Sequence, residues 1–302
     1  MAIKYLKNAA IDKGKWDECI ANSPNGLIYS TSVFLNNMAT DWDALVMDDY
    51  DAVMPLPFRK KYGIHYVYPP AFSQQMGITS LQKTTQDVID SFLKNIPAKF
   101  RYVEMNFSTD NVFTSAVEKV RDNYFLPLSD SFPALQKNFS RSAIRNIKKA
   151  TDENVIIKEG VNSSEIIAIH RERFKDNVGA NEDDYKRLQK LFAKLHLKNM
   201  LFTLGAYNNK NILIAGSIYF VYKNRITFII NGNNTDSLKN GATHLLMNET
   251  IKKNCGKEFI LDFEGSDFPE FVRFYKQYGG LVENYTMVKI NNLPWPLSLF
   301  KK

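Results

Sequence analysis

Cysteine is nearly absent. The 302 residues hold two, Cys19 and Cys255, far apart and in no CxxC pair. That excludes a disulfide-stapled scaffold and a thiolate zinc site, and it predicts a reducing compartment. Histidine is almost as scarce: His65, His170, His196 and His244 show no ligand spacing, so no metal is expected. No run approaches the ~20 apolar residues of a membrane span. The amino-terminal MAIKYLKNAAIDKGKWDE lacks the apolar core of a secretion signal, and a cytoplasmic location is expected. Nor is charge extreme. A net charge of +7 suits an anionic partner, such as a phosphate-bearing substrate or RNA, without requiring one.

What is present is a globular chain. Hydrophobic residues make up 44% and charged residues 24%, enough for a real core, and the length admits one large domain or two ordinary ones. In the first half, WDALVM (42–47) and DAVMPLPF (51–58) flank the polar turn Asp48-Asp49-Tyr50 and read as a hairpin, with HYVY (65–68) a third strand before Pro69-Pro70. TTQDVIDSFLKNI (84–96) sets Val88, Ile89, Phe92, Leu93 and Ile96 on one helical face. RYVEMNF (101–107) alternates as a strand, DNVFTSAVEKVRD (110–122) is expected as a helix, and a short strand near 124–128 would close the unit.

The second half repeats the order. A strand at 154–160 and helices near 163–177 and 182–197 precede strands at 200–207, 211–222 and 225–230. Helix 238–254, strand 258–263, helix 268–278 and strand 282–290 follow. Seven elements in the same order twice imply a tandem duplication of topology. The fold class expected is a mixed-sheet α/β protein of two domains, 1–134 and 135–302.

A basic helix opens the second domain. In LQKNFSRSAIRNIKKATDEN (135–154), Arg141, Arg145, Lys148 and Lys149 share a face, and Ala143, Ile144, Ile147 and Ala150 supply the apolar side. Such a stripe is either a solvated face or a phosphate-binding surface. Near the carboxyl terminus, two parallel strands each left by a helix place polar groups at their carboxyl ends, where open α/β sheets bind ligands. Asn231 and Asn233 end one strand. Asp262 and Glu264, in DFEGS (262–266), end the other and are expected on opposite sides, so that one carboxylate faces the cleft and can take a proton from an attacking amine. Ser266 or Asp267 is expected to cap the following helix.

The second half resembles the GNAT superfamily of acyl-CoA N-acyltransferases in strand and helix order. The duplication, SRSAIRNIKKA (140–150), DFEGS…FVRFYKQYGG (262–280) and YVYPPAFSQQMG (66–77) are similar to the Fem-type branch. That resemblance implies two tandem GNAT-like domains and an aminoacyltransferase that extends peptidoglycan cross-bridges from aminoacyl-tRNA. It also implies that Lys276, with Arg273 beside it, stabilises negative charge at the reacting carbonyl. Without that role, the two cations would only compensate a helix carboxyl end, for ~0.3–1 kcal/mol.

GNAT enzymes hold coenzyme A pyrophosphate in a Q/R-x-x-G-x-G/A loop. In the second half the matching stretch, Asn234 to Ala242, fits in neither register, and Asp236 would repel phosphate. In the first half Gln74-Gln75-Met76-Gly77 fits Q-x-x-G, so Gln74 and Gly77 are candidate ligand-loop residues. Where Fem-type relatives usually carry a basic residue after the early aromatic segment, IYSTSVFLNNMATDW (28–42) offers Asn36 and Asn37. With no Ser or Cys nucleophile paired to a base, direct transfer to an amine is expected, with no cofactor beyond the donor, aminoacyl-tRNA or acyl-CoA. His244, near the start of a helix bordering the cleft, is the one histidine expected near the chemistry. The competing readings are a coenzyme A-dependent N-acetyltransferase and a non-catalytic binder of nucleic acid or a cell-wall precursor.

Overall fold

The computed structural model describes residues 2–114, 119–173, 179–265 and 269–301. These divide into two units, neither a continuous stretch: 1–122 with 182–191 and 284–302, and 123–181 with 192–283.

The first unit contains β1 (Ile3–Leu6), α1 (Lys13–Asn22), α2 (Ser32–Met38), β2 (Asp41–Met47), β3 (Ala52–Lys61), β4 (Ile64–Val67), β5 (Thr79–Ser80), α3 (Gln86–Lys94) and β6 (Phe100–Asn106). The expected hairpin and third strand are there. α1 and α2 stand in a region whose residues show no clear periodicity. α1 starts because Asp12 accepts from Gly14 N and Lys15 N, and it buries Trp16, Cys19 and Ile20. α3 turns Ile89 and Phe92 into a core with Leu45, Met54, Leu56, Val67, Phe100, Val103 and Met105, and Val88, Leu93 and Ile96 pack at its edge.

The helix expected over 110–122 does not form at its carboxyl end. Residues 110–114 are non-helical, 115–118 lie outside the described residues, and β7 runs over Lys119–Pro127. Its buried Tyr124 and Leu126 recur with the period of two that a strand needs.

The second unit continues with α4 (Phe132–Gln136), α5 (Arg141–Asp152), β8 (Ile156–Glu159), α6 (Ser163–Arg173), the end of α7 (Glu182–Leu197, of which 182–191 belong to the first unit), β9 (Leu201–Tyr207), β10 (Leu213–Tyr222), β11 (Arg225–Asn233), α8 (Thr235–Asn240), α9 (Ala242–Asn254), β12 (Ile260–Glu264) and α10 (Pro269–Lys276). β13 (Leu281–Asn291) closes the chain's strands. The single helix expected over 238–254 is broken, because Gly241 sits at φ 82° between α8 and α9.

Strand order in the first unit is β1-β2-β3-β4-β6-β13, with β5 on β3; in the second it is β7-β12-β11-β10-β9-β8. The two closing strands are thus exchanged. β7, from the first half of the sequence, pairs antiparallel with β12, while β13 pairs antiparallel with β6. Each unit contains a parallel pair, β4 with β6 and β11 with β12. In the second unit α5 and α9 cover a core built on Leu204, Ile214, Tyr219, Ile226, Leu246, Ile251, Leu261 and Phe263. α6 lies against β10 and β11. It approaches so closely that a Cβ on Gly232 would stand 2.5 Å from the Ile166 carbonyl oxygen.

Candidate active site

The parallel pairing of β11 with β12 runs from Arg225↔Ile260 to Thr227↔Asp262 and then stops. Both strands carry a bulge at that point. β11 has the extra residue Ile229 where Ile218 and Tyr219 pair with Ile230 and Phe228; β12 has Phe263 where Phe125 and Tyr124 pair with Asp262 and Glu264. An extra residue bends its strand and re-aims the side chains beyond it. The strands part, and a cavity of about 510 Å³ opens between their carboxyl ends. That volume suits a small organic ligand.

The apolar lining is aromatic and aliphatic: Phe228, Ile229, Phe263, Phe271, Phe274 and Tyr275. The polar lining comes from β11 (Asn231, Asn233), β12 (Glu264), α6 (His170, Arg173), α9 (Thr243, His244), α10 (Glu270) and α5 (Asn146). Met76 bridges to Phe107 beyond β4, and the gap lined by Gln74, Met76, Glu104 and Asn106 leaves no room for water.

Asp262 and Glu264 have separate fates. Asp262 is 3% exposed and does not line the cavity. Its Oδ2 accepts from Arg225 Nη1 at 2.6 Å, and its Oδ1 from Asn123 Nδ2 at 3.1 Å and from the Glu264 backbone N–H at 2.9 Å. Arg225 also reaches Glu283 at 3.1 Å, and these two carboxylates hold its guanidinium charged against the opposing effect of burial. Asp262 is therefore committed to a buried ion pair. Glu264, half-buried at φ 61°, lines the cavity.

Two imidazoles face the same space. His244 Nδ1 lies 2.8 Å from the Tyr278 hydroxyl, which donates to the His244 carbonyl at 3.3 Å. Burial pushes the His244 imidazole down to about 4, so it is neutral near pH 7. His170 Nδ1 lies 2.9 Å from the Asn231 carbonyl and is also pushed down by burial. Burial, then Glu264 and then Asp262, raise the Tyr275 phenol, which stays protonated. Arg173 Nη1 donates to Asn233 Oδ1. The Asn231 side-chain oxygen is buried with no hydrogen-bond partner among the described residues.

The structure brings Glu264, Asn231, Asn233 and His244 together. It does not bring Arg273 or Lys276 to them. Both lie on the exposed face of α10, Arg273 Nε reaching Pro269 O at 3.4 Å and Lys276 Nζ lying 5.8 Å from the Tyr124 ring centroid, and neither lines the cavity. Arg141, Arg145, Lys148 and Lys149 are exposed along α5, whose Asn146 lines the cavity. Gln74 and Gly77 belong to the first unit and are held inward. The Gln74 side chain accepts from Gln75 Nε2, its carbonyl accepts from Asn106 Nδ2, and Gly77 abuts Asn111 and Phe107. The expected caps Ser266 and Asp267 lie outside the described residues. His170, Arg173, Thr243 and Glu270 were not among the expected site residues. The i, i+4, i+7 spacing of Ile166, His170 and Arg173 on α6 was the available signal.

The stretch matching the coenzyme A loop is already occupied by its own side chains. Asn234 Oδ1 accepts from Ser237 N at 3.0 Å, and Asn240 Oδ1 accepts from Ala242 N at 3.0 Å. Those two amides are thereby withdrawn from any anion approaching the stretch.

No family profile and no curated protein matches the sequence. Solved structures do match. The crystal structure of FemX is similar over 99% of this chain and 99% of its own, at TM-score 0.70 and 11% identity. L-PGS from Bacillus licheniformis is similar over 96% and 95%, at TM-score 0.56 and 10% identity. A tandem GNAT protein from the clavulanic acid biosynthesis pathway is similar over 97% and 99%, at TM-score 0.54 and 9% identity. The chain has a Fem-like tandem GNAT fold, a mixed α/β architecture of two GNAT-like domains.

Proposed function

We propose that this chain transfers an activated acyl group, an aminoacyl group carried on RNA, to an amine bound between β11 and β12. The observation that carries the reading is the cavity where those strands part, with Glu264 facing it. In the reaction the amine nitrogen attacks the acyl carbon and forms the C–N bond. Glu264 takes the proton the amine loses, the ester C–O bond breaks, and Glu264 gives that proton to the departing oxygen, which leaves as the RNA hydroxyl. The aromatic lining excludes water from the acyl carbon. A neutral His244 is a further acceptor in the same cavity, and the Asn231 amide is a polar contact for whichever substrate lies against β11. The exposed α5 cations would hold donor phosphates, whereas the occupied amides between Asn234 and Ala242 disfavour coenzyme A. FemX, L-PGS and GNAT acyltransferases share this fold, which supports the reaction class without fixing the acceptor. A peptidoglycan precursor is the acceptor proposed.

The test is an aminoacyl transfer assay with charged tRNA and nucleotide-linked muropeptide. Glu264→Gln is expected to lower kcat by about 10²–10⁴-fold with little change in KM. Unchanged turnover would remove Glu264 from the chemistry. Micromolar binding of acetyl-coenzyme A by calorimetry would overturn the donor assignment.

A further inference from the structure

The β3–β4 hairpin ends in a solvent-exposed aromatic residue. Lys61 pairs with Ile64, so Tyr62 and Gly63 alone make the turn, at φ 51° and 77°. Two positive φ values define a type I′ turn, which asparagine followed by glycine adopts with least strain. Tyrosine in the first of those positions is strained. Yet Tyr62 is 88% exposed, and the one ring contact it makes among the described residues is with Lys61, whose ammonium lies 5.4 Å from the ring centroid. No burial offsets the strained backbone.

Around this ring the hairpin is basic. Lys60 and Lys61 are exposed and have no carboxylate within ion-pair distance among the described residues. Arg59 lies 3.9 Å from Asp184 and 5.8 Å from the Tyr68 ring, and His65 sits opposite Lys60 in the ladder. Cations interleaved with exposed rings are the composition of a surface that reads unpaired nucleotides, where bases stack on rings and phosphates meet lysines.

We propose that this hairpin tip is a contact for single-stranded RNA, with the Tyr62 ring stacking on an unpaired base and Lys60 and Lys61 meeting the flanking phosphates. A bilayer is the poorer occupant, because interfacial anchoring buries several apolar side chains and one ring protrudes here. The binding rests on no step of acyl transfer and needs no turnover.

The full chain would be titrated into a fluorescently labelled single-stranded RNA oligonucleotide, and into a blunt RNA duplex of equal length, with anisotropy read over a range of salt. Expected are tighter binding to the single strand, about 5–100-fold weaker binding for Tyr62→Ala, and near-parent binding for Tyr62→Phe. Lys60→Gln with Lys61→Gln is expected to lower the salt slope by about 1.4, near 0.7 for each phosphate left without its lysine. Tyr62→Asn separates function from folding. It suits the turn, so its unfolding midpoint should equal or exceed the parent's while its RNA affinity falls. Parent-like RNA binding by Tyr62→Ala would overturn the proposal. So would equal affinity for the duplex, or Tyr62-dependent binding to phosphatidylglycerol vesicles without binding to RNA.

Discussion

The backbone N–H of Glu264 donates to Asp262 Oδ1 at 2.9 Å, so a buried carboxylate holds the residue after next in a left-handed turn. That conformation costs a non-glycine residue ~1–2 kcal/mol. The Arg225 ion pair on the other oxygen of Asp262 keeps the acceptor in place. Removing Asp262 leaves Arg225 with Glu283 alone and takes the acceptor from Asn123 and from the Glu264 N–H. Asp262→Ala should therefore lose stability in urea unfolding, by less than the about 3–5 kcal/mol of a buried charge left wholly unpaired. Asp262→Asn retains an acceptor for the Glu264 N–H and should lose less. Equal losses would mean that the hydrogen bond to Glu264 contributes nothing.

That relationship marks where the sequence stops being readable. Residues two apart in a regular strand share a face, so plain alternation puts Asp262 and Glu264 on the same side, and the opposite sides expected of them do not follow from strand geometry. The bulge at Phe263 separates them, and a bulge depends on the partner strand. The elements with strong local patterns, such as α3 and β9 to β12, were legible because their periodicity is carried by neighbouring residues. The exchange of β7 and β13 was not, since which strand a segment joins is a long-range outcome. α1 escaped because its apolar residues are few and its cap at Asp12 precedes a lysine-rich turn. Lys276 illustrates a limit of motif matching. FYKQYGG carries no signal of which face of its helix is turned inward, and the α10 face that reaches the cavity is the one bearing Glu270, Phe271 and Phe274.

Protonation of the two site histidines sets a pH dependence. The folded His244 imidazole lies near 4, below its ordinary value, and His170 is displaced in the same direction. The unfolded chain therefore binds more protons as the pH falls below about 6.5. Stability should drop between about pH 6.5 and 4, by up to about 1.4 kcal/mol per pH unit for His244, with His170 acting in the same direction. Urea midpoints at pH 7 and pH 5 measure this. His244→Asn should flatten the dependence by close to one proton, and an unchanged slope would show that His244 is not held neutral.

Gly241 joins α8 to α9 at φ 82°, and a Cβ there would lie 2.3 Å from the Asn146 carbonyl oxygen of α5. Gly241→Ala combines left-handed strain with a backbone clash and should destabilise the protein by at least about 2 kcal/mol. Because Asn146 and Gly241 both line the cavity, ligand affinity should fall at temperatures where the variant remains folded. Thermal unfolding and a binding titration on one sample test both halves.

The basic face of α5 is kept against its own helix. Arg141 is the first helical residue, where the positive end of the dipole disfavours a cation, and the first turn contains no acidic residue. Arg141 with Arg145 and Arg145 with Lys149 are like charges four apart, each pair unfavourable by ~0.2–0.5 kcal/mol. None of these side chains has an ion-pair partner among the described residues. Charge reversal by Arg141→Glu with Arg145→Glu should therefore leave the unfolding midpoint unchanged or raise it. If the stripe holds donor phosphates, the same variant should lose tRNA binding and the parent's salt dependence, because each phosphate contact contributes to the slope of log K against log salt. A variant that is more stable and still binds tRNA with the parent's slope would make the stripe a solvated face and move the donor's phosphates elsewhere.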